Sequence, residues 1–262
     1  MGSQTGPMSE FEKWAFTAPL ASGHRVTHDI YSKGSGPIVV IIQELPGIGK
    51  STLRLADMFV DRGFAVVLPH LFGPLGRTSL LGNTARVFCM RREFTIFERN
   101  KTSPIVDWLR ALCQKLRTDH NVDGVATIGM CLTGNFAISL MADDAVLAGV
   151  ASQPSLPIRH HDYLHMSEAD IAQVRDALDQ KGAMKAYRFE GDPLCTAAKF
   201  NAIDAAFNDD KTRVETGVTE VMPGKGHSVL TRDFVNEKGH PTREAFEAIV
   251  TYFDQRLRPA EA

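Results

Sequence analysis

Val125-Ala-Thr-Ile-Gly-Met-Cys-Leu-Thr-Gly-Asn135 decides how the rest of the chain is read. An apolar β-type run, Val125 to Met130, breaks into a turn of small residues, and a helix-compatible segment, Phe136-Ala-Ile-Ser-Leu-Met141, follows. Strand, sharp turn and helix is the setting of a nucleophile elbow, in which a tight turn holds a reactive side chain clear of the sheet. The side chain at the apex here is the Cys131 thiol. Gly129 sits two before it, as the elbow pattern asks; two after it stands Thr133, and the glycine comes one later, at Gly134. A buried packing cysteine fits the same residues. On this turn alone the two readings stand level.

Outward from the turn, the chain alternates between strand and helix signals. Pro37-Ile-Val-Val-Ile-Ile-Gln43 is a continuous apolar run, the pattern of a parallel strand buried on both faces. Ser51 is placed to cap a helix over Thr52 to Asp61, and Phe64 to Pro69 reads as the next buried strand. Leu71 to Thr84 is glycine-containing and reads as a long functional loop. Ser103-Pro104 opens a helix to about Leu116. Strands are expected at Ala145 to Ser152, Met184 to Glu190 and Val214 to Met222. Helices are expected after Ser167 as far as Gly182, over Thr196 to Phe207, and over Pro241 to Leu257. Such alternation implies an α/β fold with a mainly parallel sheet covered on both faces.

A cysteine nucleophile needs a base, and the base an orienting group. In sheets of this kind they arrive in the order nucleophile, acid, histidine, each in a loop after a strand. Asp192 follows the Met184-Glu190 strand and His227 follows the last one, in Pro-Gly-Lys-Gly-His-Ser. Separately, Asp192-Pro193 is an ordinary turn and His227 an ordinary loop residue. Agreement of three loops in order and strand polarity favours chemistry, at the carboxyl ends where open α/β sheets place their sites. Glu44 follows directly on a buried strand, where an unpartnered carboxylate is costly, and this favours a role in the same site. His70 ends a strand near the site mouth. His160-His161 lacks carboxylate or cysteine partners at ligand spacing, so no metal is expected. Gly47-Ile-Gly-Lys-Ser-Thr52 has a phosphate-loop flavour, but Glu44 stands where that pattern needs a glycine and would repel phosphate.

Gln43-Glu44-Leu-Pro-Gly47, the Cys131 elbow, Asp192 and Gly226-His227-Ser228 together resemble the dienelactone hydrolase family, from about Pro37 to the closing helix. The resemblance implies an α/β-hydrolase fold with a mainly parallel central sheet and helices on both faces. It implies a Cys131–His227–Asp192 triad that hydrolyses a small ester or lactone through an acyl-cysteine, with no cofactor. It also implies that Glu44 contacts the resting thiol and regulates its ionisation, and that the backbone amides of Leu45 and Leu132 form the oxyanion hole. Family members that take carboxylated dienelactones bind the carboxylate with two arginines. Arg92, less well Arg91, matches one, and a solvated helix face accounts for that pair equally well. The second position, four after the histidine, is Thr231 here, with Arg232 one further. Two rivals use the same residues: a thioesterase or acyltransferase on this scaffold, and a non-enzymatic small-molecule binding protein.

Composition sets the outer bounds. The 262 residues are 44% hydrophobic and 23% charged, ordinary for a globular protein, and a net charge of −2 gives no field to recruit nucleic acid or anionic membrane. No apolar run approaches the roughly 20 residues of a membrane span. Residues 1–10 read as a tag-like or disordered start, and 11–262 as a single α/β-hydrolase domain with an insertion at about 155–182. Cys89, Cys113, Cys131 and Cys195 show no Cys-x-x-Cys spacing, which argues against zinc and disulfides and for the cytoplasm.

Overall fold

The computed structural model describes residues 8–20, 22–73, 75–76, 79–89, 102–155, 162–217 and 220–258. Nine strands occur among them: β1 (Glu12–Pro19), β2 (Arg25–Lys33), β3 (Ile38–Ile42), β4 (Ala65–His70), β5 (Val125–Met130), β6 (Val146–Ser152), β7 (Met184–Phe189), β8 (Val214–Glu215) and β9 (Val221–Met222). The helices are α1 (Lys50–Val60), α2 (Leu80–Cys89), α3 (Ile105–Asp119), α4 (Gly134–Leu140), α5 (Glu168–Lys181), α6 (Ala197–Phe207) and α7 (Pro241–Leu257). The sheet order is β1-β2-β4-β3-β5-β6-β7-β8, with β9 also on β7. β1 and β2 form an antiparallel hairpin, β2 meets β4 antiparallel, and every other pairing is parallel.

The all-apolar β3 is explained by its two faces. Ile38, Val40 and Ile42 pack into one core with Trp108, Leu109 and Leu112 of α3 and Ile138 of α4. Val39 and Ile41 pack into the other with Phe59 of α1 and Phe246, Ile249 and Phe253 of α7. Because side chains alternate across a strand, a strand covered on both sides must be apolar throughout. Phe59 touches Phe246 edge-on at 5.1 Å between ring centroids, which ties α1 to α7. Trp108 reaches past the core to donate its indole N–H to the Val26 carbonyl at 3.2 Å, anchoring α3 to the hairpin.

Several boundaries differ from the sequence expectation, each for a local reason. The stretch Leu71–Thr84 is not all loop, because α2 begins at Leu80. Ser79 caps it by accepting the Gly82 N–H on Oγ at 3.1 Å. α1 begins at Lys50 with Gly49 at its N-cap, so Ser51 lies inside the helix. Val214–Met222 is two short strands rather than one. Glu220 N–H donates to Gly217 O at 3.2 Å, and β8 pairs with Met184 and Lys185 of β7 while β9 pairs with Arg188 and Phe189. α5 forms as its signals ask: Ser167 and Asp170 make a reciprocal capping box, and Gly182 closes the helix at φ 85°. No helix among the described residues is long and apolar enough to cross a membrane.

Candidate active site

Strand register brings the chemistry to one rim. Ile42 of β3 pairs with Gly129 of β5, so Glu44 and Cys131, each two residues further on, leave the sheet side by side. Ser152 of β6 pairs with Met130 on one side and Tyr187 of β7 on the other, and Phe189 of β7 pairs with Met222 of β9. The loops that carry Asp192 and His227 therefore emerge at the same carboxyl edge.

Cys131 itself sits at φ 57°, a left-handed conformation that a side chain adopts only when its surroundings hold it there. Gly129 makes the turn sterically feasible: a Cβ there would lie 2.0 Å from the Thr133 carbonyl oxygen. The displaced second glycine has its own purpose, since a Cβ on Gly134 would meet Pro154 Cα at 2.8 Å. Thr133, in the position glycine usually takes, fastens the elbow. Its Oγ1 accepts the Met130 N–H at 2.9 Å and reaches the Ile42 carbonyl at 3.2 Å. The thiol is left only 5% exposed.

His227 Nδ1 lies 2.8 Å from Asp192 Oδ2 and 3.0 Å from Oδ1. Asp192 is fixed in turn by the backbone N–H groups of Leu194 and Cys195, which donate to its Oδ1 at 2.8 and 3.0 Å. Burial would lower the His227 pKa. The hydrogen bond to Asp192, and after it the neighbouring Cys131 side chain, outweigh burial and push it up to about 10. Nε2 is buried and makes no hydrogen bond of normal geometry among the described residues, although Cys131 is near enough to influence the ring. Asp233, which sequence reasoning missed, holds the histidine loop by accepting the His227 and Ser228 N–H groups at 2.8 and 2.9 Å.

Glu44 is buried, and its carboxylate is taken up by the histidine loop: Thr231 Oγ1 donates to Oε1 at 2.7 Å and Ser228 Oγ to Oε2 at 3.3 Å. Burial raises its pKa above the usual carboxylate range, against the lowering effect of these hydroxyls and of His227. Thr231, at the position where the resemblance implied an arginine, thus serves Glu44. Gln43 braces the same corner by donating to Phe72 O and accepting the Leu71 N–H, both at 2.9 Å. Leu45 and Leu132 are buried. His70 is turned to the Gly73 carbonyl at 2.8 Å, away from a role in the triad.

Arg232 is 69% exposed, 3.5 Å from Asp233, and lines a cavity of about 280 Å³ with Glu44, Gly47, Ser51, Thr52 and Ser228. Arg91, Arg92, His160 and His161 lie outside the described residues. A larger cavity, about 610 Å³, opens at the opposite end of the sheet beside Ile38 and Ala65 and holds none of these groups. Among the described residues, no cluster of histidine, cysteine and carboxylate groups could hold a metal ion.

A parallel sheet flanked by helices, with a strained elbow and a carboxylate-backed histidine at its carboxyl rim, defines an α/β hydrolase. The family model of the dienelactone hydrolases matches residues 27–257, so the chain belongs to the dienelactone hydrolase family and is an ester-cleaving hydrolase. Solved structures agree on the fold. A dienelactone hydrolase-type protein of Klebsiella pneumoniae subsp. pneumoniae MGH 78578 superimposes with TM-score 0.62 at 13% identity, covering 93% of this chain and 99% of its own. The dienelactone hydrolase of Anabaena variabilis ATCC 29413 gives 0.59 at 15% identity, with 95% and 100% covered. A cold-adapted esterase from an Arctic intertidal metagenomic library gives 0.59 at 16%, with 95% of each covered. A comparison with curated proteins finds no match.

Proposed function

We propose that this hydrolase cleaves a small ester or lactone through an acyl-cysteine on Cys131, with His227 as acid–base group and Asp192 as its orienter. The observation that carries the reading is the 2.8 Å contact between His227 Nδ1 and a fully enclosed Asp192 carboxylate, on the rim where Cys131 is held at positive φ. A histidine whose pKa is pushed up to about 10 takes the thiol proton and holds it as imidazolium. The thiolate adds to the substrate carbonyl, and the oxyanion is received by the Leu45 and Leu132 amides, each worth roughly 3 kcal/mol in systems of this type. Collapse expels the alkoxide, which takes the proton from His227. Water then gives a proton to His227 and attacks the thioester, and the acid leaves as Cys131 is restored.

The gate expected of Glu44 requires its carboxylate to leave Thr231 and Ser228 for the thiol. Among the described residues its carboxyl meets Thr231 and Ser228 rather than the thiol. Arg232, beside Glu44 in the 280 Å³ cavity, is the described candidate for reading a substrate carboxylate. Arg92 is proposed for the same task on its sequence position alone. Free thiols at Cys113, Cys131 and Cys195 suit a reducing compartment, for which we propose the cytoplasm.

The test is hydrolysis of a carboxylated dienelactone, a simple lactone, a short activated ester and a thioester by the wild type and by Cys131→Ala. Loss of all turnover in the variant is expected, and turnover that survives it sinks the triad. Preference for the thioester would favour the thioesterase reading instead.

A further inference from the structure

Glu44, Cys131, Asp192 and His227 account for four of the loops on the active rim; a fifth, after β6, has no assigned task. It is Gln153-Pro154-Ser155, and it is built with the same care as the elbow. Gln153 is in the left-handed region at φ 37°, and its N–H donates to the Tyr187 carbonyl at 2.6 Å. This turns the chain back toward Cys131. Pro154 then lies against Gly134, so the glycine that follows Thr133 is what lets the two loops touch.

Ser155 is consequently clamped to the elbow on three sides. Its N–H donates to the Cys131 carbonyl at 3.0 Å, and its own carbonyl accepts Asn135 Nδ2 at 3.5 Å. Its hydroxyl donates to Cys131 Sγ at 3.3 Å. The residue is 1% exposed, so solvent does not compete for that hydroxyl. Asn135 is itself held from the far side by the buried Lys199, whose Nζ lies 3.4 Å from Asn135 Oδ1 and also donates to the Tyr163 carbonyl.

We propose that Ser155 is a catalytic residue whose hydroxyl donates to the Cys131 sulfur and stabilises it as a thiolate, before attack and again as leaving group. The proposal rests on the reading of Cys131 as nucleophile. A hydrogen bond to the charged form of a group favours that form. In deacylation, the tetrahedral intermediate collapses by breaking the C–S bond, and the electron pair returns to sulfur while Ser155 keeps its proton. The same donor that makes the thiolate available lowers its intrinsic nucleophilicity somewhat, because a more stabilised thiolate attacks more weakly. Its greater service therefore falls on the leaving step. Removing it should make acyl-enzyme release the slow step.

The experiment follows iodoacetamide alkylation of Cys131 against pH, with Cys131→Ala as the blank for other thiols. It also follows the pre-steady-state release of alcohol from an activated ester. In Ser155→Ala alkylation of Cys131 at neutral pH should slow by about 10- to 100-fold, the effect of one hydrogen bond to a charged group. A product burst should appear in the ester assay. Ser155→Thr, which keeps the hydroxyl, should return both toward the wild type. Ser155→Gly gives a second truncation if the alanine variant does not fold. A folded truncation with wild-type alkylation and no burst overturns the proposal, as does a threonine variant that shifts as far as the alanine one. Hydrolysis that survives in Cys131→Ala would instead overturn the nucleophile assignment on which the proposal stands.

Discussion

Replacing Asp192 by asparagine changes one charge and leaves the shape almost untouched, so its effects can be worked out from the contacts. Oδ1 of the new side chain can still accept the Leu194 and Cys195 N–H groups, now at 2.8 and 3.0 Å, and the loop should stay folded. The other position becomes an amide NH₂ facing His227 Nδ1 where a carboxylate oxygen stood at 2.8 Å. Oδ1, 3.0 Å from Nδ1, already accepts two backbone N–H groups, so Nδ1 is expected to accept from the amide, and the imidazole proton moves to Nε2, the nitrogen proposed to take the thiol proton. The comparable tautomer error in serine enzymes costs roughly 10⁴ in kcat, and we expect a loss of about 10³- to 10⁴-fold here. The histidine should also lose its largest upward influence and titrate at least about one to two units below its value of about 10, leaving burial to lower it further. Nitrogen-15 spectra of the imidazole across pH report both tautomer and titration, beside ester turnover. The linkage has a definite sign. A raised histidine pKa stabilises the fold fully below about pH 6.5 and loses that contribution as pH rises through about 10. The variant should therefore show a flatter loss of stability over that window. Activity within tenfold of the wild type, or an unmoved His227 titration, would refute the reasoning.

Other substitutions probe separate parts of the site. Gly129→Ala drives a Cβ to 2.0 Å from a backbone oxygen that cannot rotate away. We expect a cost of about 2–3 kcal/mol, a fall in Tm of roughly 5–10 °C in a thermal melt, and loss of ester hydrolysis. Glu44→Gln removes a carboxyl whose pKa is raised by burial. Such a group stabilises the fold most below about pH 4.5 and progressively less as pH rises through its folded value. Urea unfolding should show the variant gaining on the wild type as pH rises above 4.5; a constant difference would contradict the raised pKa. Lys199→Met removes a buried amine whose pKa burial lowers to about 8 from 10.5. The stability of the wild type relative to this variant should rise by up to about 3 kcal/mol between pH 8 and 10.5, and no rise would mean the amine titrates normally.

What the sequence made legible was whatever depended on periodicity and strand-end placement. The uninterrupted Ile38–Ile42 run predicts double burial, and α7 begins and ends where Pro241 and Leu257 suggest. The β1–β2 hairpin escaped because its signal is half-strength: of the inward Trp14, Phe16 and Ala18, only Ala18 is buried. α2 was hidden by the glycines around it, although Ser79 three residues before Gly82 was a usable cap signal. In the site, chain order was enough to point to Cys131, Asp192 and His227. The Thr231–Glu44 and Ser155–Cys131 hydrogen bonds depend on how far loops fold back over the rim, and no local pattern encodes that. For Thr231, the sequence showed only a missing arginine.

The parallel pairings carry a consequence for how the molecule comes into being. Val39 lies beside Ala126, and β6 lies beside β7 across the whole of α5, so the rim exists only when strands distant in the chain have found one another. Such non-local closure is slow, because chain entropy is lost before contacts reward it. No fragment ending before α7 holds both cores, and none ending before the Asp233 loop holds the histidine in place. During synthesis Cys131, the proposed nucleophile, is therefore made well before His227, its proposed base. Recovery of ester hydrolysis after dilution from denaturant should lag the return of helical signal, making turnover a clock for the last event in assembly.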